Sequence, residues 1–220
     1  MHDAFILAPS GSAWNERLAQ WLGDAGLLAQ CVTVAEADEV MAAAVPRVIV
    51  GAPDIVATPL LQRARRDGAL LVCVGQAQAD FCDDALAEPV TEAAVFRLLA
   101  RHGYVAISGS ERAGLADAIA RQTFGDPALA AELVQALATS TESDLERLQA
   151  EGDNLDSLRS VAHRMKASAH LADCRGFHRL AQKLENAARS GDAMLAGALA
   201  AIFTPSAREF HAMLIAGAGE

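Results

Sequence analysis

Two side chains suited to phosphoryl chemistry, His163 and Lys166, stand three residues apart where the apolar pattern predicts a helix over Leu155–His170. The apolar stripe of this helix recurs at heptad-like intervals and would face a core: Leu155, Leu158, Ala162, Met165 and Ala169. A separate flank, about a third of a turn away, carries Arg159, His163, Lys166, Ala167 and His170. A histidine there would lie in water, where its largely neutral imidazole can attack a phosphoryl group. Lys166 would place an ammonium group beside the phosphoryl oxygens, and Ala167 would leave the ring open to a docking partner.

An exposed histidine on a helix usually has no function of its own, so the elements around His163 decide the interpretation. Three stop-and-start signals divide the second half of the chain: Gly125-Asp126-Pro127, Gly152-Asp153 and Gly191-Asp192. In each, Gly would take the left-handed position after one helix, and Asp would cap the next. With a further break near Leu171–Arg175, the predicted helices are Ala113–Phe124, Pro127–Ala150, Leu155–His170, Gly176–Ser190 and Ala193–Leu214, with a kink or restart of the last at Thr204-Pro205.

These helices predict an up-down four-helix bundle with a short leading helix, because long helices joined by tight turns prefer to pack antiparallel. On the second helix, the core stripe would consist of Leu129, Leu133, Leu137, Leu145 and Leu148.

The first half of the chain has a different pattern, in which short apolar runs alternate with amphipathic stretches. Strands are predicted at Phe5–Ala8, Ala29–Val34, Arg47–Val50, Ala69–Val74 and, weakly, Ala85–Ala87. Such alternation predicts a flavodoxin-like, doubly wound parallel α/β sheet. Gly103–Ser110 then mixes Gly and Ser with a short apolar stretch. We therefore expect an α/β domain over residues 1–103, a linker over 104–111 and a helical bundle over 112–220.

The residues around His163 add a family resemblance to this outline. The run Ala162-His163-Arg164-Met165-Lys166-Ala167-Ser168-Ala169 resembles the H-x-x-K-G-[SA] signature of histidine-containing phosphotransfer (HPt) domains, with Ala167 at the usual glycine. The similarity extends to Gly152-Asp153 before the motif, and to Leu180–Glu185 and Gly191-Asp192 after it. It covers about Arg112 to Leu214, including helix lengths and turn positions.

The resemblance implies that His163 accepts a phosphoryl group from an aspartyl phosphate on a receiver domain and passes it on. Lys166 would neutralise the phosphoryl charge, and Glu185 would hydrogen-bond one imidazole nitrogen, although it also adds negative charge there. Arg189 would be a second cation near the phosphate. For Glu185 and Arg189, a solvated surface charge is an equal alternative. Arg159, Ala167 and His170 would contribute to partner docking.

Such a domain is a phosphocarrier rather than an enzyme with a turnover site, and it is expected to bring no cofactor or metal. The partner receiver supplies the aspartate and Mg²⁺. Expected partners are the receiver domains of a hybrid sensor histidine kinase and a response regulator. An alternative for His170 is a metal site that it would form with Cys174 and His178. The predicted turn at Leu171–Gly176 would break the helical spacing of these three residues.

The first half resembles a receiver domain through its order of elements and through Ala87-Glu88-Pro89-Val90, but the receiver chemistry is missing. Ala8-Pro9-Ser10 stands where receivers carry an acidic pair, and Ala52 stands at the phosphorylated aspartate. Gly75 replaces the usual Thr or Ser, and Glu88 replaces the lysine. Mg²⁺ binding needs clustered carboxylates, and phosphoryl transfer needs positive charge. We therefore expect a pseudo-receiver used for docking, for orienting the bundle or for a homodimer; Asp54 is the one nearby carboxylate that could substitute.

Composition excludes several other classes. The formal net charge of −10 without a basic stripe disfavours nucleic-acid binding. Four widely spaced cysteines, with no C-x-x-C pair, argue against disulfides and zinc ribbons and predict a reducing, cytoplasmic setting. No apolar run approaches the roughly 18 residues that span a bilayer, and the N-terminus lacks a basic signal region. Ser10-Gly11-Ser12 is weak evidence for nucleotide binding, since no Walker or dinucleotide motif is present.

Three functional hypotheses follow. The first is a phosphorelay intermediate that uses His163. The second is an adaptor or decoy that binds receivers without accepting phosphate, and the third is a ligand-binding or enzymatic α/β domain with a helical appendage. The start of the first strand directly after Met1 favours a complete protein over the C-terminal part of a sensor kinase.

Overall fold

The computed structural model describes residues 3–7, 12, 14–41, 45–75, 81–152 and 154–217 of the 220-residue chain. The chain forms two compact units, Met1–Leu98 and Leu99–Glu220. The boundary falls within the helix Glu92–Arg101, which is described with the first unit, and each unit is considered by itself below.

The first unit is built on a five-stranded parallel sheet in the order β2-β1-β3-β4-β5. The strands are β1 (Ala4–Leu7), β2 (Ala29–Cys31), β3 (Val48–Gly51), β4 (Leu70–Val74) and β5 (Asp84–Leu86). The connecting helices are α1 (Asn15–Asp24), α2 (Val34–Met41), α3 (Pro53–Val56) and α4 (Pro59–Arg66), and α5 (Glu92–Arg101) follows β5. Every residue of β1 and β3 is buried, as the continuous apolar runs of a central parallel strand require. The flavodoxin-like prediction is confirmed.

The second unit is helical: α6 (Gly109–Ala113), α7 (Leu115–Gln122), α8 (Pro127–Glu151), α9 (Leu155–Leu171), α10 (Arg175–Arg189) and α11 (Ala193–Gly217). The four long helices α8 to α11 pack on one another as the predicted bundle. In its core, the fully buried ring of Phe177 lies 5.3 Å from that of Phe203 and 5.4 Å from that of Phe210. The α9 stripe is confirmed, since Leu158, Ala162, Met165 and Ala169 are buried and Leu155 is partly buried.

Helix caps explain most of the boundaries. Asp126 accepts hydrogen bonds from the backbone N–H groups of Ala128 and Leu129, and Asp192 accepts one from Leu195. Gly125 and Gly191 have positive φ angles of 77° and 76°, as predicted for glycine after a helix. The predicted stop-and-start signal at Gly152-Asp153 differs, because Asn154 is the residue that caps α9, accepting from the N–H groups of Asp156 and Ser157. Gly152 is right-handed there, and Asp153 lies outside the described residues.

Three further details differ from the sequence prediction. The leading helix is divided at Gly114 into α6 and α7, and α11 continues through Pro205 without a restart. The inward positions of α8 are Val134, Leu137, Thr141, Asp144 and Leu148. Leu129 is instead half exposed, and Leu133 and Leu145 are only partly buried. The predicted leucine stripe was wrong at these positions because two of the true core positions carry polar side chains, which a search for apolar periodicity overlooks.

The segment 104–111, predicted as a linker, is anchored to the bundle. The backbone N–H of Ala106 donates to the hydroxyl of Ser206 on α11 at 2.9 Å. Glu111 completes a capping box with Ser108, accepting from its backbone N–H at 2.7 Å. The other carboxylate oxygen of Glu111 accepts from the backbone N–H of Gly176 at 2.8 Å, in the first turn of α10. One side chain therefore ties the leading helix to α10.

Replacement of Glu111 by Ala is expected to lower the free energy of unfolding by about 1–2 kcal/mol, because backbone donors at two helix starts lose their acceptor. Urea unfolding of the whole protein measures this, with Glu146→Ala, an exposed site on α8, as the control. Equal unfolding midpoints for the two variants would show that the double cap contributes nothing.

Candidate functional site

His163 is presented on the outside of the bundle by α9. Its neighbour Ala162 is fully buried, as is Met165, whereas 68% of the His163 side chain is exposed. The heptad-like spacing of the buried residues therefore fixes which side of α9 meets the core and leaves the imidazole accessible. The predicted exposure of His163 agrees with the structure.

Helix α10 supplies a buried carboxylate beside the ring. Glu185 is 3% exposed, and its Oε1 lies 3.2 Å from His163 Nδ1. Its Oε2 accepts a 2.6 Å hydrogen bond from Lys166 Nζ, which also donates to Gln182 Oε1 at 3.0 Å. Arg189, one turn further along α10, donates to Glu185 Oε1. Three potential cations thus surround one carboxylate at the seam between α9 and α10.

This arrangement determines the tautomer of the neutral ring. An ionised carboxylate can only accept hydrogen bonds, so the contact with Glu185 requires the proton on Nδ1 of His163. The lone pair of the neutral imidazole then lies on Nε2. The geometry can therefore hold a nucleophilic nitrogen in place through its partner nitrogen.

Opposing effects act on the pKa of Glu185. Burial raises it, but the hydrogen bond and charge of Lys166, together with those of His163, outweigh burial and hold the pKa below its ordinary value. The carboxylate is consequently ionised in the folded protein at neutral pH, and its charge is compensated locally.

The depressed pKa makes a pH-dependent contribution to stability. The folded state holds the Glu185 proton less tightly than the unfolded state, so the contribution is complete above the ordinary carboxyl pKa of 4.5 and is lost as the pH falls through the folded-state pKa. We expect Glu185→Gln to unfold with a shallower loss of stability between neutral and acid pH than the wild type. Urea unfolding across that range measures the slope, with Glu146→Gln as the control. Parallel curves for all three proteins would contradict the prediction.

The predicted docking residues lie on the same exposed side of α9, and Arg189 lies on α10. Arg159 is exposed and paired with Asp156 at 3.3 Å, Ala167 is exposed, and the exposed His170 lies with its ring centroid 5.9 Å from that of His178. Arg189 is 57% exposed despite its contact with Glu185. Glu185 itself is buried and is not a solvated surface charge.

The structure does not support a metal site at His170, Cys174 and His178. The Cys174 side chain is fully buried, and burial raises the pKa of its thiol to about 12, so the thiolate that binds metals is disfavoured. The pKa of His178 is lowered, first by burial and then by nearby groups that include His170 and Lys166. Among the described residues, no group of three or more His, Cys, Asp or Glu could hold a metal ion.

In the α/β unit, the positions aligned with receiver chemistry follow the carboxyl ends of the strands. Ala52 follows β3 directly, Gly75 follows β4, and the exposed Glu88 lies just after β5. Asp54 is exposed in the short helix α3. Ala8-Pro9-Ser10 and residues 10–11 of the Ser10-Gly11-Ser12 segment lie outside the described residues.

Sequence reasoning missed two groups of contacts around His163. The first comprises the hydrogen bond from Lys166 to Gln182 and the approach of His178, which the sequence offered only as a metal ligand, to His170. The second group is the ion pair between Asp144 on α8 and Arg164, the residue that follows His163. The spacing of His178, Gln182, Glu185 and Arg189 along one face of α10 could have revealed the first group. No apolar or motif signal identifies Asp144.

The fold and this site define a class: a helical bundle that presents an exposed histidine, with a lysine one turn later, beside a buried acceptor on the next helix. Residues 132–216 match the family model of the Hpt domain, and this part of the chain is therefore a histidine-containing phosphotransfer domain. The parallel sheet of the first unit is consistent with a receiver-like domain. Comparisons with curated proteins and with solved structures gave no significant match. In the described part of the chain, no helix has the length and apolar character to cross a membrane.

Proposed function

We propose that His163 is the phosphoacceptor of this domain, taking a phosphoryl group from an aspartyl phosphate of a receiver domain and returning it to the aspartate of another. The observation that carries the proposal is the exposed imidazole whose Nδ1 lies against buried Glu185, with Lys166 one turn away. The Hpt domain accounts for the histidine phosphotransfer role, and this geometry supports the choice of residue.

In the transfer, the Nε2 lone pair attacks phosphorus, an N–P bond forms, and the P–O bond of the aspartyl phosphate breaks to restore the carboxylate. The Nδ1 proton stays on the ring and donates to Glu185, which offsets the positive charge that develops on the imidazole. Lys166 and Arg189, which both donate to Glu185, would then also donate to the phosphoryl oxygens. Transfer to the next receiver reverses these steps. The Mg²⁺ for both steps would belong to the receiver.

Charge complementarity supports a receiver as the partner. The chain carries a net charge of −10, yet the α9 face around His163 presents Arg159 and Lys166, and Arg189 lies beside it on α10. An active receiver places acidic side chains around its aspartate. The basic face would attract that pocket while the acidic remainder of the surface repels it, which orients the encounter.

The receiver-like unit would act without being phosphorylated. Ala52 has no group that can accept a phosphoryl, and Glu88 places negative charge where a cation would be needed. We propose that this pseudo-receiver serves docking or self-association. The part of the chain that the structure describes contains no carboxylate cluster able to hold a metal there.

The test is transfer from a panel of purified, phosphorylated receivers to the full chain. We expect label that is lost in acid and kept in alkali, as for phosphohistidine, and that maps to the peptide containing His163. Binding without label would favour the adaptor or decoy. A melting shift with small molecules that does not depend on His163 would favour a ligand-binding α/β protein. Either result would overturn the proposal.

A further inference from the structure

The bundle interior holds a carboxylate that the proposed transfer does not use. Asp144 on α8 is 2% exposed, and its Oδ1 accepts a 2.8 Å hydrogen bond from Arg164 Nε as well as one from the second guanidinium nitrogen. Arg164 also donates to the Ser160 hydroxyl at 2.7 Å. Because Arg164 follows His163 directly, this ion pair lies at the level of the reactive ring, on the side of α9 that faces α8.

The pair is poorly explained as a source of stability. Burial desolvates the Asp144 carboxylate, whereas the Arg164 side chain keeps 39% of its surface exposed, so solvent weakens the attraction between them. Apolar side chains of similar volume often stabilise a fold equally well. Within the described residues, Oδ2 of Asp144 is buried and accepts no hydrogen bond, which is a further unfavourable contribution. The best attested use of such a pair is to fix the register of packed helices.

Helix α9 has particular need of a fixed register. Several of its buried side chains are small: Ser157, Ala162, Ser168 and Ala169. Leu158, Val161 and Met165 fix which face of α9 meets the core, but the shallow ridges of the small side chains between them resist small rotations or sliding of the helix only weakly. On the α10 side, α9 packs through apolar side chains, and its side-chain hydrogen bonds to α10 come from His163 and Lys166 themselves. Those groups must also serve the phosphoryl group, so an anchor that takes no part in the chemistry is needed on the α8 side.

We infer that Asp144 and Arg164 are positioning residues, an ion pair that fixes the rotation of α9 against α8 so that His163 Nδ1 meets Glu185. The inference rests on the proposed role of His163 as the phosphoacceptor. It predicts that removal of the pair slows phosphoryl transfer without lowering the stability of the fold.

The double variant Asp144→Leu with Arg164→Met tests this, since it replaces the ion pair by apolar side chains of similar volume. We expect a thermal midpoint equal to or above that of the wild type. The saturating rate of transfer should fall by about 10- to 100-fold, the effect of a small misplacement of a reacting group. The receiver concentration at half-saturation should change little, because the proposed docking residues Arg159, Ala167 and His170 are unchanged. The ¹⁵N resonances of the His163 ring should also shift as its contact with Glu185 weakens.

Two single variants serve as controls. Arg147→Met removes an arginine from the exposed Arg147–Glu151 pair of α8 and should leave the rate and the ring resonances unchanged. Arg164→Lys keeps a charge on α9 but loses the planar guanidinium contact with Asp144, so it should lose less rate than the double variant.

A folded double variant with the wild-type rate and unchanged ring resonances would overturn the inference while leaving the proposed function intact. Failure of the double variant to fold would also overturn it, because the pair would then be a determinant of stability. If the wild type itself accepts no label, the proposed function fails. The ring resonances then decide the positioning role alone, with a shift supporting it and no shift refuting it.

Discussion

Replacement of His163 by Gln is expected to reduce phosphoryl labelling to background, a loss of about 1000-fold or more, because the amide has no nucleophilic lone pair on nitrogen. The fold should be retained. The side chain is 68% exposed, and the new amide can still donate a hydrogen bond to Glu185, so the free energy of unfolding should change by less than about 0.5 kcal/mol. Transfer from a phosphorylated receiver, followed by acid and alkali treatment of the product, measures the effect.

The matched control is His211→Gln, which changes a histidine of α11 in the groove between α8 and α11. It should label like the wild type. Equal labelling of His163→Gln and the wild type would show that another residue carries the phosphoryl group. Binding of the phosphorylated receiver, measured separately, should survive the His163 change, because the surrounding cations of α9 remain.

Replacement of Lys166 by Met is expected to slow transfer by about 100-fold, the usual effect of removing one donor that stabilises developing negative charge. The variant loses a cation near the phosphoryl group. It also removes from Glu185 the 2.6 Å hydrogen bond and the charge of Nζ, so the carboxylate would repel the incoming phosphate. Both effects act in the same direction.

The double variant Lys166→Met with Glu185→Gln separates these contributions, because it removes the cation without exposing a negative charge. We expect it to recover part of the rate lost in Lys166→Met. Arg147→Met, which removes a distant cation from α8, should transfer like the wild type. A Lys166→Met rate within about threefold of the wild type would mean that Lys166 does not stabilise the transferred group.

Hydrophobic periodicity was sufficient to locate α9 and its exposed side. Each buried residue at heptad-like spacing contributes burial energy only if the helix turns that face inward, so the exposure of His163 follows from local sequence. The parallel α/β class of the first unit was equally accessible, because short apolar strands that alternate with helices have few ways to pack other than as a parallel sheet. Capping by Asp126 and Asp192 was also predictable, since it depends on contacts within three residues.

The α8 stripe and the Pro205 boundary show where local rules failed. Leu129 fits an apolar repeat but is half exposed, while Thr141 and Asp144 take core positions. Pro205 removes one backbone donor, yet α11 stays continuous because packing of Ile202, Phe203 and Phe210 in the core outweighs that loss.

The sequence by itself determined the two kinds of unit, the helix that carries His163 and the side of that helix that meets solvent, because these depend on periodicity and on capping within one turn. Only the tertiary structure decided which atoms meet across helices. Glu185 is buried between His163, Lys166 and Arg189, and Asp144 is held by Arg164. Apart from the local Glu185–Arg189 pair, those contacts join residues about 20 positions apart, and the relative rotation of packed helices, which no local pattern encodes, sets whether they form.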